Sequence, residues 1–114
     1  MSRVKCTSEL FTATAVAMSV TFPDKCVLKR ILVGFSAAPT TSEDFTVTLD
    51  SANGATHDVL LKTVDPVSEG VTDSFDLQFT EAEGSFVYND GIDIAYTNTD
   101  AATITVSVYY EVQP

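Results

Sequence analysis

Apolar and polar residues alternate with period two along most of this chain, as strands do when one face is buried. Over residues 11–22 one parity carries Thr12, Thr14, Val16, Met18, Val20 and Phe22, and the other carries Phe11, Ala13, Ala15, Ala17, Ser19 and Thr21. The small residues of the second set predict close approach of another layer or chain. Over residues 27–37 the odd positions Val27, Ile31, Val33 and Phe35 are apolar, with Lys29 interrupting them. Phe45, Val47 and Leu49 then alternate with Asp44, Thr46 and Thr48. Ala52-Asn53-Gly54 is a turn, because Asn and Gly tolerate the positive φ of tight hairpins. Residues 57–64, from His57 to Val64, read as the returning strand, which Asp65-Pro66 ends, since proline donates nothing to a ladder.

The second half continues in the same way. Phe75, Leu77 and Phe79 share one face, residues 85–88 form a short strand, and Asn89-Asp90-Gly91 is a second turn signal. Ile92, Ile94 and Tyr96 share a face, and residues 98–102 turn the chain. Ile104, Val106, Val108, Tyr110 and Val112 alternate against Thr103, Thr105, Ser107, Tyr109 and Glu111. The longest irregular pieces are residues 38–43 and 65–73. About seven or eight strands with regular turn signals predict an all-β fold, a single antiparallel β-sandwich over residues 1–114, Ig-like or jelly-roll in connection. Val47, Leu49, Phe75, Leu77, Ile94, Val106 and Val108 are its predicted core. No segment sustains a helical period.

Composition narrows the function. At 114 residues the chain has the length of one domain, and 45% apolar residues mark it as folded. Its net charge is −10, which argues against a nucleic-acid partner, because a phosphate backbone needs a basic face. No run is apolar enough for a membrane span. A secretory leader is a weaker reading of the N-terminus than a strand, since Thr12, Thr14 and Ser19 break the apolar stretch. Charge is distributed unevenly. Residues 1–30 carry Arg3, Lys5, Lys25, Lys29 and Arg30 against Glu9 and Asp24, whereas Lys62 alone opposes fourteen acids in residues 31–114. Either the basic segment is neutralised within the fold, or it docks on an acidic partner, including a neighbouring copy. Residues 1–11 are therefore expected to be a docking arm with Arg3, Val4, Lys5, Leu10 and Phe11 as its interface. An edge strand of the same sandwich is the competing reading.

Candidate chemistry is sparse. Two cysteines and one histidine cannot supply the usual four ligands of a zinc site. Cys6 and Cys26 are two small apolar fillers, or they face each other across a strand pair. His57 has no nucleophile-elbow motif around it, and Asp58 beside it points to the other face of a strand. Asp73 with Asp76, Glu81 with Glu83, and Asp90 with Asp93 lie in or near turns. They read as solvated carboxylates in preference to Ca²⁺ ligands, because none fits an EF-hand register. No enzyme activity, metal or cofactor is expected.

Two stretches carry a resemblance. Val47-Thr48-Leu49-Asp50-Ser51-Ala52-Asn53-Gly54-Ala55 precedes Asp58-Val59-Leu60-Leu61, and Gly91-Ile92-Asp93-Ile94-Ala95-Tyr96-Thr97-Asn98-Thr99-Asp100 precedes the alternating last strand. Together, over residues 28–112, they resemble small all-β virion proteins of tailed bacteriophages. The last strand departs from that pattern, with Thr103 and Ile104 where an aromatic often stands. The resemblance implies a virion location and a structural role, foremost as a capsid decoration (cement) protein that binds the assembled lattice. Its implied partners are the major capsid protein or other virion subunits, and further copies of itself as a homo-oligomer. The alternative is a carbohydrate- or cell-surface-binding module of a fibre or adhesin. That reading calls for exposed aromatics, for which Tyr88, Tyr96, Tyr109 and Tyr110 are the candidates.

Overall fold

The computed structural model describes residues 3–22, 25–51, 54, 56, 58–80, 85–86 and 90–112. Among them are nine strands: β1 (Arg3–Thr12), β2 (Val16–Thr21), β3 (Cys26–Phe35), β4 (Phe45–Asp50), β5 (Val59–Val64), β6 (Ser74–Gln78), β7 (Ser85–Phe86), β8 (Gly91–Tyr96) and β9 (Thr103–Val112). They form two antiparallel sheets. The first runs β1-β9-β3-β6, with β7 also paired to β3, and the second runs β2-β8-β4-β5. Of consecutive strands, β4 and β5 pair as a hairpin, while most other connections cross between sheets. An immunoglobulin sandwich instead keeps several consecutive strands side by side. Bringing the last long strand in beside the first gives a jelly roll.

Both inner faces meet in one apolar core, with Phe22, Leu28, Ile31, Phe45, Val47, Ile92, Ile104, Val106 and Val108 fully buried. Of the predicted core, Val47, Ile94, Val106 and Val108 are buried, and Leu49, Phe75 and Leu77 pack on its margin. Phe45 and Phe75 meet edge to face, with ring centroids 5.2 Å apart. Phe22 and Tyr110 do the same at 5.0 Å.

Two alternating runs are broken where their parity shifts. Residues 11–22 are not one strand. Phe11 is buried on the first sheet, and Val16, Met18 and Val20 are buried on the second. The chain turns the corner at Ala13, whose φ is 55° and whose N–H donates to the Ala102 carbonyl. In β3 the register to β9 shifts between Leu28 and Arg30. The bulge at Lys29 lets Cys26 and Leu28 point inward before it and Ile31, Val33 and Phe35 after it. Val27, expected inward, is instead paired opposite Glu111 on the outer side.

Residues 3–12 are the edge strand of the sandwich, not an arm extended from it. All ten residues of β1 have ladder partners on β9, from Arg3 opposite Val112 to Thr12 opposite Thr103. The two cysteines do not face each other across a strand pair. Cys6 on β1 is exposed, Cys26 on β3 is buried, and β9 lies between the two strands.

Candidate interaction surface

β1 presents two different faces. Phe11 opposes buried Ile104 and is itself buried, so it packs in the core of its own sandwich. Lys5, Thr7 and Glu9 share its side of the strand, opposite Tyr110, Val108 and Val106, yet all three are exposed because they sit at the open margin of the sandwich. Val4 and Leu10 lie on the other side, 64% and 60% exposed. The backbone of Arg3 continues the strand. Of the expected interface residues, Val4, Lys5 and Leu10 therefore stand together on an open edge.

The other exposed apolar residues are Val59 (54%) and Leu60 (55%) on β5, the edge of the second sheet. Its ladder to β4 is interrupted between Val47 and Thr48. The outer face of the second sheet carries mostly small and polar side chains. Ala17 pairs with Ala95 and Ser19 with Asp93 across β2 and β8, while Thr46 and Thr48 flank them from β4. Here the expected small-residue face exists, on β2 only.

Basic side chains on β3 are matched within the fold. Lys29 lies 3.8 Å from Glu111, and Arg30 lies 3.2 Å from Asp76. The Arg30 guanidinium also sits 5.1 Å from the centre of the Tyr109 ring. Both ion pairs are substantially solvent-exposed and contribute little to stability. Among the described residues Lys5 and Glu9 have no ion-pair partner.

Carboxylates organise the two ends of the sandwich differently. At one end Asp100 accepts hydrogen bonds from the N–H and hydroxyl groups of both Thr40 and Thr41. Glu43 reciprocates by accepting from the N–H and hydroxyl of Thr99. Asp65 accepts from the Ser42 and Ser68 hydroxyls and the Val67 N–H. These bonds hold Asp100 and Asp65 below the usual carboxylate range, led by Thr41 and Ser42 respectively. Beneath them burial, then the Glu43 and Asp100 charges, push the Tyr96 phenol up to about 12. Asn98 is buried, with φ 57°, and its amide donates to the Thr14 and Ala102 carbonyls while its oxygen accepts from Ala102 N–H. At the opposite end Asp50 is raised, first by Asp93, then by burial, Asp58 and Asp90.

Among the described residues, no group of three His, Cys, Asp or Glu is fit to hold a metal. His57, Asn53, Tyr88, Asn89, Glu81 and Glu83 lie outside the described residues. Two shallow depressions are present. One, of about 350 Å³, is lined by Ala15, Thr46 and Ala95, and the other, of about 490 Å³, by Val71, Phe75 and Leu77. No helix of the described residues is long and apolar enough to cross a membrane.

No protein-family model matches the sequence, and no curated protein matches it either. Solved structures do match in fold. A chain of the cyanophage Pam1 capsid asymmetric unit aligns with a TM-score of 0.51 and 19% identity, over 98% of this chain and 85% of that one. A chain from the acid-stable capsid of Helicobacter pylori bacteriophage KHP30 aligns at 0.49 and 12%, over the full length of both. The Drosophila NLP core, described with its pentamer formation and histone binding, aligns at 0.48 and 15%, over 92% of this chain and 96% of that one. At 19% identity the likeness to the Pam1 chain is one of fold alone.

Proposed function

We propose that this chain is a structural protein of a bacteriophage particle, and within that class a capsid decoration protein that clips neighbouring shell subunits together. The observation that carries the reading is the jelly roll itself, matched along nearly the whole chain by a component of the Pam1 capsid. The surface agrees with it. A face of mostly small Ala, Ser and Thr side chains on the second sheet and apolar residues on two sheet edges suit side-by-side packing on a lattice. The acidic body keeps many crowded copies soluble. A protein of this kind acts by linkage: it binds the assembled lattice in preference to free subunits, and so stabilises the lattice.

The glycan-binding alternative needs aromatic platforms. Tyr96 and Tyr110 are buried, and Tyr109 lies against the Arg30 guanidinium. Binding to shells of the encoding phage tests the proposal. Purified protein should be retained by intact shells and released with them on sedimentation, with little retention by dissociated shell subunits. Equal binding to dissociated subunits would remove the decoration role, and no binding to any virion component would remove the structural one.

A further inference from the structure

β1 is the edge strand of the first sheet, paired to β9 along one side only. Ala13, opposite Ala102 where the β1–β9 ladder ends, donates its N–H to the Ala102 carbonyl. Hydrogen-bonding direction alternates along a strand, so the odd residues of β1 bond to β9 and the even ones, Val4, Cys6, Ser8 and Leu10, aim their N–H and C=O groups away from the sheet. β1 is ten residues long with an unbroken register to β9. The other edges are shorter or broken: β6 has five residues, β2 has six, and the β4–β5 ladder is interrupted.

The sequence of this edge is complementary to its own reverse about Thr7. An antiparallel copy centred there sets Val4 against Leu10, Lys5 against Glu9 and Cys6 against Ser8, each twice. We propose that two copies join along β1 in this register, related by a twofold axis through Thr7, so that the two first sheets become one continuous sheet. Each feature of the edge then has a partner. The even residues form the hydrogen-bonded pairs, roughly eight backbone bonds in all. The exposed Val4 and Leu10 cover each other on the outer side. Lys5 and Glu9, unpaired among the described residues, neutralise each other across the axis on the inner side. Inward-facing charges normally protect an edge from indiscriminate pairing. Here they reject a shifted or apolar strand and accept this one, because a twofold contact must be self-complementary. The pairing needs no shell, so it stands independently of the virion reading.

Sedimentation equilibrium of the purified chain in low salt, under reducing conditions, tests it. The wild type should form dimers. Glu9→Lys sets like charges together twice and should weaken the dimer about tenfold or more, and Lys5→Glu combined with Glu9→Lys should restore it. A wild type that stays monomeric to about 1 mM, or a double variant no better than Glu9→Lys, overturns the proposal. Cross-linking gives a second readout should a charge variant misfold. In a Cys6→Ser background, Thr7→Cys places the new thiols directly opposite each other, with Cα atoms about 4.5 Å apart and within disulfide reach. Val4→Cys places them six residues out of register. Oxidation should yield a covalent dimer from the first variant and not from the second. The reverse result contradicts the register.

Discussion

Gly91 sets how closely β2 and β8 approach. A Cβ there would lie 2.3 Å from the Val20 carbonyl oxygen, and the obstacle is backbone that cannot swing aside. Gly91→Ala should therefore cost about 1–3 kcal/mol, whereas Gly34→Ala, with nothing within 4 Å of its Cβ, should be neutral or mildly stabilising. Chemical denaturation of the pair checks this, and equal effects would mean that β2 and β8 can separate. Val106 is fully buried, so Val106→Asp should cost several kcal/mol by burying an unpaired charge, at roughly 3 or more, and abolish cooperative melting. Val106 was legible in the sequence because burial repeats every second residue. Asp100, Glu43 and Asn98 were not, because their partners lie on other loops: Thr40 and Thr41 are about sixty residues from Asp100, a separation for which local pattern carries no signal.

The strands were legible where parity holds, and the errors fall where it changes. A corner at Ala13 and a bulge at Lys29 each move the buried set from one parity to the other. An uninterrupted small-polar stretch such as residues 12–15 hides that shift. The place of residues 3–12 in the sheet was hidden differently. Their inward side is polar at Lys5, Thr7 and Glu9, so the strand looks unlike one that covers a core, although β9 pairs with its whole length. Deleting residues 3–10 should therefore strip β9 of its neighbour, expose Val106, Val108 and Tyr110, and lose cooperative folding by circular dichroism. Normal folding of the truncated chain would mean that β1 is dispensable. The loops of residues 36–44 and 97–102 are joined chiefly through carboxylates. The folded-state pKa of Asp100 lies below its unfolded value. Its contribution is thus complete above about pH 4 and lost as pH falls through the folded value. Asp50, which is raised, works in the opposite sense: its contribution is present below the unfolded value and lost as pH rises through the folded one. Asp100→Asn should lower the Tm at pH 7 and flatten its fall between about pH 4 and pH 2. An unchanged acid limb would show that this link does not govern acid stability.

At the scale of the whole molecule, a net charge of −10 is carried on a jelly roll whose basic strand β3 is matched internally by Glu111 and Asp76. What remains outward, among the described residues, is an acidic body whose large exposed apolar residues, Val4, Leu10, Val59 and Leu60, lie on two sheet edges. Such a body has surfaces to pack and, among its described residues, no cluster fit to hold a metal. On the proposed virion reading its role is exercised in an assembly, through many repeated contacts whose summed effect exceeds any one of them. If the β1 pair also forms on the particle, the dimer should straddle a twofold or local twofold axis of the shell, since an isologous contact brings its own axis with it. The measurement that decides is electron cryomicroscopy of purified phage particles made with and without this chain. Density of jelly-roll size should stand on the shell at repeated lattice positions when the chain is present and vanish when it is deleted, with the underlying lattice intact. Identical particles in the two reconstructions, and no trace of the chain by mass spectrometry of the purified particles, would contradict a virion structural role.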